Sequence, residues 1–188
     1  MKNKNIILAS ASPRRKELLK TIVRKFKVIP SNINEKTISA KSPRDAAKKT
    51  AIAKAWGVAA KQKNSVVIGA DTIVVLGRKI LGKPTSKKDA VDMLKSLSGK
   101  KHMVMTGLAV INTDTGKMLT HVEITEIKMK KLKVRDILDY VNTGSPLDKA
   151  GGYGVQEIAD PFIEKIDGDY YNVVGLPVFI LKKMLDNI

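Results

Sequence analysis

The chain has no cysteine, which excludes disulfides and thiolate metal sites. Its two histidines, His102 and His121, are well separated, which disfavours a histidine-rich metal centre. Aromatic residues make up only 4% of 188 positions, too few for the stacking platforms of single-strand nucleic-acid binders, although binding through phosphates alone stays open. No apolar run reaches the roughly 18 residues of a membrane-spanning helix, so no membrane partner is expected. The apolar stretch Ile6-Ile7-Leu8-Ala9 near the start is too short for a signal-peptide core, and the chain reads as cytoplasmic. Neither a Rossmann fingerprint nor a Walker A pattern occurs. No repeat, low-complexity tract or linker divides the sequence, which fits a single domain over 1–188 or two lobes around one sheet. Acidic residues are scarce as well: 18 Asp and Glu stand against 35 Lys and Arg, a formal charge of +17 that points to anionic partners. Most of those lysines are expected on solvated helix faces.

What is present is organised around Val66-Val67-Ile68-Gly69-Ala70-Asp71-Thr72-Ile73-Val74-Val75-Leu76. Aliphatic and β-branched runs flank one carboxylate and one hydroxyl, the pattern of a buried strand interrupted by a polar pair. An unpaired charge there costs on the order of several kcal/mol, so Asp71 needs a cation, a metal or hydrogen bonds. Lys83, after Gly82, is one candidate partner. The structural alternative is an Asp capping a turn between two strands.

Before it, 5–9 reads as a strand and Ser12-Pro13 as a helix start, with Ser as N-cap and Pro in the first turn. Arg14, Arg15 and Lys16 then place three cations where the helix dipole is already positive. An anion held by the free N–H groups and the guanidinium forks reverses that penalty; a basic helix start facing water is the alternative. A short strand over 26–30 leads to a polar loop with Glu35. Ser42-Pro43 opens a helix to about 62 whose apolar face carries Ala47, Ala51, Ala55 and Val58. Lys54 falls beside that face and is expected to snorkel to water. A helix over 86–97, paired strands over 102–111 and 118–129 with a turn at Asn112–Gly116, and a helix over 134–142 with Ile137, Leu138 and Val141 inward follow. The stretch 148–156 reads as a glycine-rich loop ending on Gln156, whose amide can donate to and accept from a base edge. A last helix begins near 176 with Val178, Leu181 and Leu185 on its core stripe.

Six blocks together resemble the Maf family of nucleoside triphosphate pyrophosphatases: Leu8-Ala9-Ser10-Ala11-Ser12-Pro13-Arg14-Arg15, Gly69-Ala70-Asp71-Thr72, Ile80-Leu81-Gly82-Lys83-Pro84, Leu97-Ser98-Gly99, 148–156 and 168–177. The resemblance implies an α/β fold, an elongated mixed sheet flanked by helices, with two lobes and a central cleft as in the inosine-triphosphatase-like fold. It implies a cytoplasmic, often dimeric enzyme that uses a divalent cation, Mg²⁺ or Mn²⁺, to convert a nucleoside triphosphate to monophosphate and pyrophosphate. By motif, Asp71 matches the proton acceptor, while Arg14, Thr72 and Gln156 match positions linked to a preference for dTTP and UTP. Ser10, Arg15, Glu35, Lys54 and Lys83 match polar positions of the cleft.

Asp71 and Glu35 both offer oxygen ligands to a metal, and Asp71 reads equally as metal ligand or general base. An amide and a hydroxyl can pair with the alternating oxygens and N–H of a uracil or thymine edge. Three departures stand out: Glu157 after Gln156 where the family usually has Gly, Asp160-Pro161 in place of a small apolar pair, and Gly77-Arg78 at a hairpin. Glu157 bears on base choice, since a carboxylate there can repel an anionic substrate or accept from a base amino group. The alternatives from other classes are a basic nucleic-acid-binding module and a nucleotide sensor without turnover. Basic residues beside glycine turns and a buried Asp favour the enzyme, so no specific nucleic acid is expected as a partner.

Overall fold

The computed structural model describes residues 4–188, with the backbone alone for 158–161, so the side chains of Asp160 and Pro161 lie outside the described residues. The fold is α/β, with helices flanking an open mixed sheet. Its strands are β1 (Asn5–Leu8), β2 (Lys27–Val28), β3 (Ser65–Leu76), β4 (Lys79–Leu81), β5 (Lys101–Asn112), β6 (Met118–Met129) and β7 (Ile163–Asp167). They run in the order β2-β1-β3-β5-β6-β7, with β4 folded back onto β3. β1 pairs in parallel with β2 and β3, whereas the β3–β4 and β6–β7 pairs are antiparallel.

Three helices begin as cap chemistry dictates. Ser12 Oγ accepts from Arg15 N ahead of α1 (Pro13–Lys20), Ser42 Oγ from Asp45 N ahead of α2 (Pro43–Ala59), and Ser86 Oγ from Asp89 N ahead of α3 (Lys87–Leu97). Each cap contributes about 1 kcal/mol by satisfying an otherwise orphaned donor. α4 (Val134–Asn142), α5 (Val155–Phe162), α6 (Tyr170–Val174) and α7 (Val178–Asp186) complete the set. Among the described residues no helix is long and apolar enough to cross a membrane.

The chain divides into two compact units. One gathers the chain up to Asp71 with Thr106–Glu123 and Gly175–Ile188; the other comprises Thr72–Met105 and Ile124–Val174. In the first unit Ala51, Ala55, Val58 and Ala59 of α2 meet Ile7, Val67, Ala109 and Ile111 of the strands in one buried cluster. The approach is close enough to demand glycine on the sheet. A Cβ on Gly69 would collide with the Ala51 carbonyl oxygen and lie 2.7 Å from Ala55 N, and one on Gly107 would collide with the Ala47 carbonyl oxygen. In the second unit α3 packs against α4 and the glycine turn at Ala150–Gly152. The Asn172 amide donates to Val104 O (3.1 Å) and Thr125 Oγ1 (2.9 Å), tying α6 to β5 and β6. His102 on β5 is buried with its Nε2 2.6 Å from the Tyr153 hydroxyl, and burial lowers its pKa to about 4.

Several elements depart from expectation. The strand over 26–30 is two residues long, α2 stops at Ala59, and Leu138 is exposed, leaving Ile137 and Val141 as the buried face of α4. The stretch 148–156 runs from the end of one 3₁₀ turn (Ser145–Asp148) through a second (Ala150–Gly152) into α5, so Gln156 sits in a helical first turn. Neither α5 nor β7 was anticipated. Asp71 lies inside one continuous strand and caps no turn.

Replacing Gly69 by Ala is expected to destabilise the protein by roughly 2–3 kcal/mol, because backbone cannot yield as a flexible side chain does; the midpoint of urea unfolding reads this directly. His102 supplies a second expectation. The unfolded chain takes up its proton near pH 6.5 and the folded chain only near 4, so stability is fully present above 6.5 and declines as pH falls through that window, by about 3 kcal/mol in total. His102→Gln should flatten the stability profile between those two values, and an unchanged slope would assign it to other groups.

Candidate active site

Asp71 ends a run of seven buried positions on β3, and its carboxylate is met from α2. Lys54 Nζ lies 2.7 Å from Asp71 Oδ1 and 2.8 Å from Glu35 Oε1, so one ammonium bridges two carboxylates. Side-chain exposure is 14% for Lys54, 13% for Asp71 and 55% for Glu35, which makes the Lys54–Asp71 link a desolvated ion pair with Glu35 at its wet end. The close seam at Gly69 brings Lys54 within reach. The lysine expected to snorkel to water therefore turns to the strand, and Lys54 supplies the ion-pair partner that Asp71 requires. Loss of water raises the Asp71 pKa; Lys54 and Arg15 oppose that rise, and Glu35 adds to it.

Arg15 ties the surroundings together. Its Nη1 donates to Ser10 Oγ (3.2 Å) and to Ala70 O (2.9 Å), the carbonyl just before Asp71, while Nε donates to Gly175 O (2.9 Å). Burial lowers its pKa and the Asp71 charge works against that shift. Ser10 Oγ also accepts from Ser12 N at 3.3 Å, which fixes the turn into α1. Arg14 is half-buried in the first turn of that helix. Ser10, Arg15, Glu35, Lys54 and Asp71 thus come together within the first unit.

Thr72, Lys83 and Gln156 belong to the second unit. Thr72 is half-buried on β3, Lys83 is exposed after β4, and Gln156 is exposed. Here the glycine turn docks beside the Gly82-Lys83-Pro84 block, since Gly151 N donates to Gly82 O at 2.9 Å and a Cβ on Gly152 would touch Pro84. Glu157 differs from its sequence reading. Its Oε1 lies 3.0 Å from Lys149 Nζ, and its Oε2 accepts from Tyr140 Oη (2.8 Å) and Ser145 Oγ (2.7 Å). Burial works to raise its pKa, but the hydrogen bonds from Ser145, Tyr140 and Lys149 outweigh it and hold the carboxyl below its ordinary value. Both oxygens are engaged inside the unit, so Glu157 is a brace for the loop. Sequence reasoning missed Tyr140, Ser145 and Lys149 as its partners, because no motif links them to Glu157.

Among the described residues no group of three or more His, Asp or Glu side chains gathers as a metal cage. Asp71 and Glu35, two hard-oxygen donors already converging on one cation, instead suit Mg²⁺ or Mn²⁺ bound through one or two carboxylates with ligand oxygens completing the shell. A carboxylate with a raised pKa beside a lysine is equally suited to taking a proton.

A family profile described as Maf-like protein matches residues 5–188. The chain is 49% identical over 186 residues to a dTTP/UTP pyrophosphatase of Clostridium botulinum (strain Kyoto / Type A2), covering 97% of this chain and 96% of that one. It is 51% identical over 173 residues to a dTTP/UTP pyrophosphatase of Thermosipho africanus, covering 92% and 87%. Among solved structures it resembles a HAM1 protein from Coxiella burnetii (TM-score 0.55, 16% identity, 98% of this chain and 100% of that one) and the Staphylococcus aureus Ham1 protein (TM-score 0.53, 15%, 98% and 99%), likenesses that concern the fold alone.

The Lys54–Asp71 pair gives a titration with a defined sign. In the intact protein the Asp71 carboxyl should titrate above the ordinary carboxylate value of 3.8. In Lys54→Met, with the opposing charge gone, it should titrate higher still. Carbon-detected NMR of the side-chain carboxyl measures both midpoints; equal midpoints would mean that Lys54 does not set the proton affinity of Asp71.

Proposed function

The chain belongs to the Maf family, and from that membership we propose that it is a nucleoside triphosphate pyrophosphatase that converts dTTP and UTP to their monophosphates and pyrophosphate. The observation that carries the reading is the Asp71–Lys54–Glu35 cluster, a desolvated carboxylate, a lysine and a second carboxylate linked at 2.7 and 2.8 Å. Hydrolysis at the α-phosphorus needs an aimed water, a place for its proton and positive charge on the phosphate oxygens. Asp71 is the group that takes the proton, and its raised pKa makes it a better base than an ordinary surface carboxylate. Lys54 keeps Asp71 ionised before attack and fixes its orientation. Arg15 holds the strand backbone at Ala70, next to Asp71, while Arg14, Lys83 and the turn at Ser10 supply cations and donors to the phosphates. Asp71 and Glu35 are the residues that would hold a Mg²⁺ or Mn²⁺, which when bound would supply further charge at the phosphate oxygens.

Thr72 and Gln156 are assigned to the base, where a hydroxyl and an amide suit the uracil and thymine edge. The nucleic-acid-binding alternative finds less support, because Lys54 and Arg15 are paired inward and do not form an exposed stripe. A cytoplasmic setting and a homodimer belong to the same proposal.

The test is a panel of nucleoside triphosphates with Mg²⁺ or Mn²⁺, scored for product. Pyrophosphate and monophosphate are expected, with dTTP and UTP preferred; orthophosphate and diphosphate would place the attack on another phosphorus. Asp71→Asn keeps the shape and removes the basic oxygen, so turnover should drop by about 10²–10⁴-fold with the fold intact by circular dichroism. A near wild-type rate would remove Asp71 from the chemistry.

A further inference from the structure

We infer that Glu157, held by Lys149 and Tyr140, is a positioning residue that sets the place of Gln156 and through it the preference for one base over another. This rests on the proposed reading of the site, in which Gln156 faces the base, and adds how the chain keeps it there. Gln156 itself is exposed, so its own side chain does not anchor it. Its two neighbours do. Val155 is 2% exposed and locked into the core, and Glu157 is fastened by three donors.

The fastening runs through both ends of the turn. The Tyr140 hydroxyl donates to Glu157 Oε2 and accepts from Gly154 N at 3.1 Å, so one phenol on α4 grips the residues on either side of Val155 and Gln156. Its ring is held in turn by an edge-to-face contact with Phe162 at the far end of α5, centroids 5.6 Å apart. Lys149 completes the brace from below. Its side chain is only 6% exposed, and its Nζ reaches Asp148 Oδ1 (2.7 Å), the Ser145 carbonyl (2.6 Å) and Glu157. The lysine passes under Gly154 so tightly that a Cβ there would lie 2.6 Å from Lys149 Cε. An exposed amide between two fixed points has a defined origin, and the residual freedom is confined to its own χ angles. That is the condition under which a wrong base leaves hydrogen-bonding groups unpaired and is rejected.

The arrangement separates two roles that a carboxylate beside Gln156 can take. A Glu157 that reads the base directly needs a carboxylate free to turn toward it and favours a base with an amino group, such as cytosine. With its carboxylate pinned by Lys149, Tyr140 and Ser145, it acts through the backbone and leaves the choice to Gln156.

The experiment measures kcat and KM for dTTP, UTP and CTP in the intact protein, in Tyr140→Phe, Glu157→Ala and Gln156→Ala, and in each of the first two combined with the third. Tyr140→Phe keeps the ring and its packing, so it guards against a fold defect in Glu157→Ala. In both, KM for dTTP and UTP should rise about three- to tenfold, the scale of one lost hydrogen bond, with kcat within about twofold and the preference over CTP reduced. In the Gln156→Ala background neither should change selectivity further, because the effect passes through that amide. Equal losses for all three bases, or effects that simply multiply with Gln156→Ala, would overturn the inference and leave the network a purely structural brace. No pyrophosphate from any triphosphate with the intact protein would defeat the proposed function, and this inference with it.

Discussion

The cluster around Asp71 depends on how near α2 comes to the sheet. The helix shows the strands a face of alanines, and the strands answer with Gly69 and Gly107, where no side chain of any size fits. Each added methylene in such a seam forces strain. The cluster of Ala47, Ala51 and Ala55 buries less apolar area than leucines would, so the seam yields less hydrophobic stabilisation than an ordinary helix–sheet contact. What it provides is reach, since the short approach lets Lys54, beside Ala55 on α2, meet Asp71, two positions beyond Gly69 on β3. A strand glycine that looks like a weakness in local propensity is the reason the carboxylate has a partner.

The two buried lysines show how one residue type serves opposite ends. Lys54 sits between carboxylates and only partly offsets the desolvation of Asp71, which keeps a raised pKa and with it a capacity to accept a proton. Lys149 sits among Asp148, Glu157 and Ser145, and with Tyr140 and Ser145 it draws Glu157 to a lowered pKa, a carboxylate fixed in its ionised form. The first is chemically available, the second spent on geometry. Asp71 is the more deeply desolvated of the two acids and is met by Lys54, whereas the more exposed Glu157 is met by Tyr140, Ser145 and Lys149.

Local chemistry was legible in the sequence. The serine caps at Ser12 and Ser42 stand where the Ser-Pro junctions put them, and β6 spans the twelve residues 118–129 read as the second strand of the hairpin. Leu138 was misplaced because the apolar stripe of α4 is wider than the face its neighbours cover. α5 and β7 escaped notice since the glycine turn and a proline at 161 mask the start and the body of the helix, and β7 draws its support from pairing with β6. At the site, motif placed Asp71, and only tertiary packing could reveal that Lys54 reaches it. From sequence Glu157 reads as a direct contact to the base, because its partners Tyr140 and Lys149 lie 17 and 8 positions back on elements whose docking no periodicity encodes.

The desolvated ion pairs of Lys54 and Lys149 also set these two apart from most of the 35 cations of the chain. A change at either one leaves carboxylates without a counter-charge, whereas exposed positions such as Lys25, Lys61 or Lys95 touch neither cluster. The net charge can therefore be changed at such exposed positions, for solubility or for long-range attraction of anions, while the proton chemistry at Asp71 and the bracing at Glu157 stay as they are.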